Sequence, residues 1–173
     1  GIDNVQPIWA DSFLKSISNA NNIPTVVITF DPHPKTILQK SEHPQINLLS
    51  VDKKIEFLKQ YGVDYVWVIP FDKRFAKLTA EEFLVEYIMK YFNPRDIILG
   101  YDHHFGNNRE GNAEFLNIYR KEFGYNLHVN EPILHHGLPI SSSRIRSYLM
   151  DGNIEEAIIC LGWEYGFSGT IIK

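Results

Sequence analysis

Thr25-Val-Val-Ile-Thr-Phe-Asp-Pro-His-Pro34 is the stretch on which the fold turns. Its first six residues are mostly β-branched, and Pro24 and Pro32 bound them, so they read as a buried strand. Proline has no N–H to give to a ladder, which is why it marks the limits. Working outward, similar runs recur at Tyr65-Val-Trp-Val-Ile69, at Asp96-Ile-Ile-Leu99 and, more weakly, at Asn126-Leu-His-Val129. Helical periodicity fills the gaps. Trp9 to Ile17 places Trp9, Phe13, Leu14 and Ile17 on one face, and Asp52 to Tyr61 carries Ile55, Phe57 and Leu58. Thr79 to Tyr91 opens with Thr79 and Glu82 at the spacing of a capping box, and Ala113 to Phe123 carries Phe115, Leu116 and Tyr119. Strand, helix, strand at intervals of about 30 residues predicts βαβ units, hence an α/β fold with a parallel sheet.

Two short helices follow. Ser141 or Ser142 can cap Arg144 to Met150, with Gly152 where a C-terminal cap glycine belongs. Asn153 and Glu156 repeat the capping-box spacing before Ile154 to Leu161, which stops at Gly162. Residues 163–173 read as a linker and the first strand of another domain, which leaves 1–162 as the main one.

The bulk properties narrow the class. The chain has 173 residues, of which 44% are hydrophobic and 22% charged, enough for one domain with a substantial core. A net charge of −4 argues against binding a nucleic-acid backbone but allows a local basic pocket for one nucleotide. The longest apolar runs are too short to span a bilayer. Cys160 is the sole cysteine, so no intrachain disulfide can form, as expected of a cytoplasmic protein.

Parallel sheets bind ligands beyond the carboxyl ends of their strands, which directs attention to three segments. Thr29-Phe-Asp-Pro-His-Pro34 leaves the first strand, and its two prolines stiffen the turn that carries His33. Gly100-Tyr-Asp-His-His-Phe-Gly106 leaves the third. Its glycines, with Gly111, permit close backbone approach; Asp102 can accept hydrogen bonds and Phe105 can pack on a planar ring. His103 and His104 are adjacent and point opposite ways on an extended segment, so no metal ligands are expected there. Ile140-Ser-Ser-Ser-Arg-Ile-Arg146 puts three hydroxyls and two guanidinium groups at the start of a helix, where backbone N–H groups and the helix dipole favour an anion such as phosphate. Plainer readings exist for each: a stiff strand exit, a glycine-rich loop, an ordinary capped helix. His43, His128, His135 and His136 show no ligand spacing and read as structural; Trp67 reads as packing, Trp163 as a junction residue, and Cys160 as core.

Taken together and in order, these segments resemble the bacterial bifunctional riboflavin kinase/FMN adenylyltransferase (FAD synthetase) family. The resemblance rests on Thr29 to Pro34, Lys54-Ile-Glu56, Gly62-Val-Asp-Tyr-Val-Trp-Val-Ile-Pro-Phe71, Phe75 to Phe83, Gly100 to Gly106, Ile140 to Arg146, and Gly152 with Glu156-Ala157, Leu161-Gly162, Tyr165 and Ser168-Gly169. It runs from about residue 24 to residue 173.

The resemblance implies a Rossmann-like parallel sheet of the nucleotidylyltransferase type. It implies attack of FMN on the α-phosphate of ATP, with pyrophosphate leaving and Mg²⁺ accompanying the nucleotide, so that FMN and FAD are substrate and product. Ser142 and Arg146 would be catalytic; Ser141, Ser142, Ser143 and Arg146 would bind the nucleotide; His33, Pro34, Asp102 and Phe105 would line the flavin site. ATP, FMN and riboflavin are then the expected partners, without nucleic acid or membrane. Riboflavin kinase activity is expected of the longer protein, not of this chain alone. Two departures are visible. The family's GxFDGxHxGH segment is either diverged here, with Gln6 and Trp9 standing where its histidines fall beside Asp3, or lost and replaced by these residues; in both cases the sheet's first strand is expected before Gly1. His103 stands where the GxDFxFG loop has its first phenylalanine. A flavin- or nucleotide-binding relative without catalysis, and a nucleotidylyltransferase for another phosphate ester, are the competing readings.

Overall fold

The computed structural model describes residues 16, 18, 22–38 and 48–166. The expected helix at Trp9 to Ile17, the positions Asp3, Gln6 and Trp9, and the strand expected toward Lys173 lie essentially outside these residues. In chain order the elements begin with β1 (Val26–Asp31), α1 (Pro34–Leu38), α2 (Val51–Gln60) and β2 (Tyr65–Pro70). Helix α3 starts at Ala80–Phe83, continues through a π-helical turn at Leu84–Met89 and finishes at Lys90–Phe92. Then come β3 (Asp96–Gly100), α4 (Ala113–Phe123), β4 (Asn126–Asn130), β5 (Leu134–His135), β6 (Leu138–Pro139), α5 (Ser142–Met150) and α6 (Ile154–Leu161). The chain divides into two compact units.

The first unit holds residues 26–38 and 65–132. β1 pairs with β2 in parallel, Val26 opposite Tyr65 and Asp31 opposite Pro70. β3 pairs with β4, also in parallel, Asp96 opposite Asn126 and Gly100 opposite Asn130. All four expected strands are present and both ladders are parallel, as the strand–helix alternation requires. Among the described residues, hydrogen bonds divide them into two ladders. Leu84, Leu99, Leu116 and Tyr125 form the buried cluster, and the Tyr125 hydroxyl donates to the Leu116 carbonyl at 2.6 Å.

Local chemistry sets the helix ends. The capping box of α3 is complete: Thr79 Oγ1 accepts from Glu82 N at 3.0 Å, and Glu82 Oε2 accepts from Thr79 N at 2.8 Å. Asn112 caps α4 through Phe115 N, and Gly124 ends it with φ +76°. The π-helical turn inserts extra residues into α3 and re-aims its later side chains; Tyr87, Tyr91 and Phe92 all meet the Trp67 ring, at 5.1–6.3 Å. α1 is not legible from periodicity. It is five residues long and starts on Pro34, whose fixed φ suits the first helical position.

The second unit holds residues 16, 18, 22–25, 48–64 and 133–166. Leu48, Ile145, Ala157, Cys160 and Leu161 form its core, with Trp163 packed against it and 5.1 Å from Phe57. Asp64 Oδ2 accepts from Thr25 N at 2.7 Å and Thr25 Oγ1 at 2.8 Å, and the Thr25 backbone bond leads the interactions that hold its carboxyl below the usual range. Ser141, not Ser142, caps α5: its Oγ accepts from Arg144 N. The capping box expected at Asn153 and Glu156 does not form. Asn153 makes no side-chain cap, and Glu156 is turned instead to His135.

Candidate active site

In the first unit the site residues sit just past strand ends. Phe71 N donates to Asp31 O, closing the β1–β2 ladder, and the chain then turns through Pro32. His33 is fixed by its backbone neighbour: its Nδ1 accepts from Lys35 N at 3.1 Å as α1 begins at Pro34. Nδ1 is therefore the acceptor of this ring.

The segment after β3 is bolted to the start of α3. Asn107 N donates to Leu78 O at 2.7 Å, and Ala80 N donates to Glu110 Oε1 at 2.8 Å. Gly106 makes this approach possible. Its φ is +73°, and a Cβ there would lie 2.5 Å from Ala80 N. Asn108 and Arg109 follow with φ +54° and +59°, consecutive non-glycine residues in the left-handed region, a strain that clusters at functional loops. Arg109 Nη2 lies 2.9 Å from His104 Nδ1. The same nitrogen lies 3.1 Å from the Asp102 carbonyl oxygen, so it faces a donor and an acceptor at once.

Asp102 projects outward, its side chain 72% exposed. Phe105 is more enclosed than an open stacking platform would be. It packs edge-on against Phe115 at 5.8 Å and at a tilt against Phe83 at 5.7 Å, and the His103 ring lies nearly parallel to it at 6.2 Å. Phe83 also meets Phe30 of β1 at 6.4 Å, so both strand exits rest on one ring. His33, Pro34, Asp102 and Phe105 thus all lie at the carboxyl ends of strands of one unit.

In the second unit the phosphate-type residues gather at the start of α5. Ser142 and Ser143 occupy the first two helical positions, whose backbone N–H groups have no intrahelical acceptor. Arg146 is buried, 8% exposed, early in a helix whose dipole disfavours a cation there. Arg144 is committed to structure. Its Nη1 donates to the carbonyls of His135 and Leu138 at 2.9 and 3.0 Å, and Nε and Nη2 both reach the Tyr148 hydroxyl. Of the two guanidinium groups read from the sequence, one braces the hairpin rather than facing a ligand.

The hairpin also gathers residues that sequence spacing does not bring together. His135 Nε2 lies 2.6 Å from Glu156 Oε2, and His136 Nε2 lies 3.5 Å from the same oxygen. The His135 bond leads the interactions that hold the Glu156 carboxyl below its usual range. The local cue in the sequence is Gly137, which suits a two-residue hairpin turn, but histidine before it is not a residue that such a turn favours.

A protein-family model described as FAD synthetase matches residues 12–144. The bifunctional riboflavin kinase/FMN adenylyltransferase of Escherichia coli K12 is 31% identical over 159 residues, covering 92% of this chain and 50% of that protein. The protein of the same name from Buchnera aphidicola of Schizaphis graminum is 32% identical, covering 93% and 52%. That of Bacillus subtilis is 28% identical, covering 91% and 49%. The chain therefore spans about half the length of these relatives. A crystal structure described as a macrolide-efflux protein from Streptococcus pneumoniae superposes with a TM-score of 0.78 at 33% identity, covering 88% of this chain and 50% of that one. Among the described residues, no helix is long and apolar enough to cross a membrane.

Proposed function

The chain belongs to the FAD synthetase family, and from that premise we propose that it transfers AMP from ATP to FMN, giving FAD and pyrophosphate. The observation that carries the proposal is the span of the family match. It begins before β1 and runs through Arg144, so both strand exits and the opening of α5 lie within it. Residues 1–162 would form the adenylyltransferase domain. The other activity in the relatives' names, riboflavin phosphorylation, would belong to sequence from residue 163 onward in a longer protein. A cytoplasmic location fits this role.

In this reading a phosphate oxygen of FMN attacks the α-phosphorus of ATP, and the bond from that phosphorus to the bridging oxygen of the β-phosphate breaks. The work left to the protein is positioning and charge stabilisation. Ser142 and Ser143 offer hydroxyls and helix-start N–H groups, Ser141 holds that start in shape, and Arg146 supplies a forked cation to the phosphates. His33, Pro34, Asp102 and Phe105 would contact the flavin, with His103 layered on Phe105. The Ile140 to Arg146 segment carries hydroxyls and guanidinium groups but no carboxylate, so Mg²⁺ would arrive held by the ATP phosphates rather than by a protein cage. When bound it would neutralise charge on the departing pyrophosphate.

The test is to incubate the native-length protein with FMN, ATP and Mg²⁺ and to separate flavins by chromatography. FAD and pyrophosphate should appear in equal amounts, and absence of FAD overturns the proposal. Arg146→Ala should lower kcat/KM at least tenfold, about 1.4 kcal/mol of transition-state stabilisation. Unchanged kinetics would remove Arg146 from the site.

A further inference from the structure

We propose that His135, His136 and Glu156 form a three-ligand site for a zinc-class divalent cation, joining the β5–β6 turn to the first turn of α6. No step of the proposed transfer reaction uses these side chains. All three belong to the second unit, and one ligand atom from each lies within 4.8 Å of the others.

The backbone explains how two adjacent histidines come to face one carboxylate. His135 pairs with Leu138 across a two-residue turn, and His136 and Gly137 have φ +51° and +74°. Positive φ at both central residues is the type I′ hairpin turn, which favours Asn-Gly or Asp-Gly. Histidine in that place keeps a strained backbone that asparagine would relieve. The strain brings the two imidazole rings to 4.0 Å, where an extended chain would send them apart. Arg144 holds the same turn through the carbonyls of His135 and Leu138. Glu156 completes the group in place of the cap it could have made with Asn153.

Both distances to the carboxylate are near those a small cation needs, and the two histidine nitrogens, within 4.8 Å, can close on it. Four ligands about 2.0 to 2.1 Å from a tetrahedral zinc stand about 3.3 Å from one another. The 3.5 Å separation of His136 Nε2 from Glu156 Oε2 already fits. The 2.6 Å pair, His135 and Glu156, must open by less than about 1 Å, and the proton on His135 Nε2 must leave that nitrogen as the metal takes its place. Two imidazoles and one carboxylate match zinc and its neighbours rather than magnesium or calcium, which select oxygen ligands. His136 is 68% exposed on its side chain, which gives the ion a way in, and a water can fill the fourth position.

The test uses the full chain after dialysis against a chelator. Isothermal titration with ZnCl₂ should give one site with a dissociation constant in the micromolar range or below. Co²⁺ should give the visible absorption of a tetrahedral centre, and Zn²⁺ should raise the unfolding temperature. His136→Asn removes one ligand while suiting the turn better, so it should fold normally yet bind at least tenfold more weakly; Glu156→Gln should do the same. Three results would overturn the site: no saturable Zn²⁺ binding, which would leave a hydrogen-bonded ion pair only; a Co²⁺ spectrum without tetrahedral bands; or binding that both variants leave unchanged.

Discussion

Replacing Gly106 by alanine probes the joint between the segment after β3 and the start of α3, and Gly124 provides a matched reference. The two glycines have nearly equal φ, +73° and +76°, and both belong to the first unit. A Cβ at Gly124 meets nothing within 4 Å, so Gly124→Ala should cost only left-handed strain, about 1 to 2 kcal/mol. A Cβ at Gly106 would lie 2.5 Å from Ala80 N and 2.7 Å from Ala80 Cα, backbone atoms that cannot swing aside. Relief requires a shift of close to an ångström, which would break the Asn107–Leu78 and Ala80–Glu110 bonds, at about 1 kcal/mol each. Gly106→Ala should therefore be destabilising by about 3 to 4 kcal/mol, roughly 2 more than Gly124→Ala. Urea unfolding followed by circular dichroism reads both, with equal m-values confirming a like-for-like comparison. Equal midpoints for the two variants would refute the claim that close approach, rather than φ, fixes glycine at this position.

Arg144→Ala should lower stability by about 2 kcal/mol, because charged hydrogen bonds to two carbonyls and to Tyr148 are lost, and Arg144→Lys should not restore it, since an ammonium cannot span both partners. Thermal unfolding of both variants checks this. Burial pushes the Tyr125 hydroxyl up to about 12 in the folded chain, so its contribution is complete below pH 10 and is lost as pH climbs toward 12. Stability measured from pH 9 to 11 should fall more steeply in the wild type than in Tyr125→Phe, and parallel curves would disprove the assignment. Burial also pushes the Cys160 thiol up, so a thiol reagent should label the folded chain more slowly than the urea-unfolded chain. Equal rates would place Cys160 at the surface.

The parts of this structure that follow from short-range rules were readable in the residues. Val26–Asp31 and Ala113–Phe123 emerged from β-branched runs and apolar periodicity, and the Thr79 capping box from its spacing. What escaped depends on contacts distant in sequence or on competition for one side chain. Glu156 has the spacing to cap α6, yet a histidine 21 residues earlier takes its carboxylate. Arg144 and Arg146 look equivalent in Ser-Arg-Ile-Arg, and only the hairpin carbonyls distinguish them. Phe105 reads as an open ring for stacking because nothing local announces Phe83 and Phe115 around it. The His135–His136 pair was invisible as a group because adjacency implies divergence unless a left-handed turn intervenes.

The Phe83 ring lies 6.4 Å from Phe30 and 5.7 Å from Phe105, so the two loop anchors share a neighbour. These rings are half-buried and packed on one another, so a ring displaced at one contact is felt at the next. The exits of β1 and β3 are therefore not independent variables. A mutation that reshapes one will move the other, and a family member that changed its acceptor would have to retune positions 30, 83 and 105 as a set.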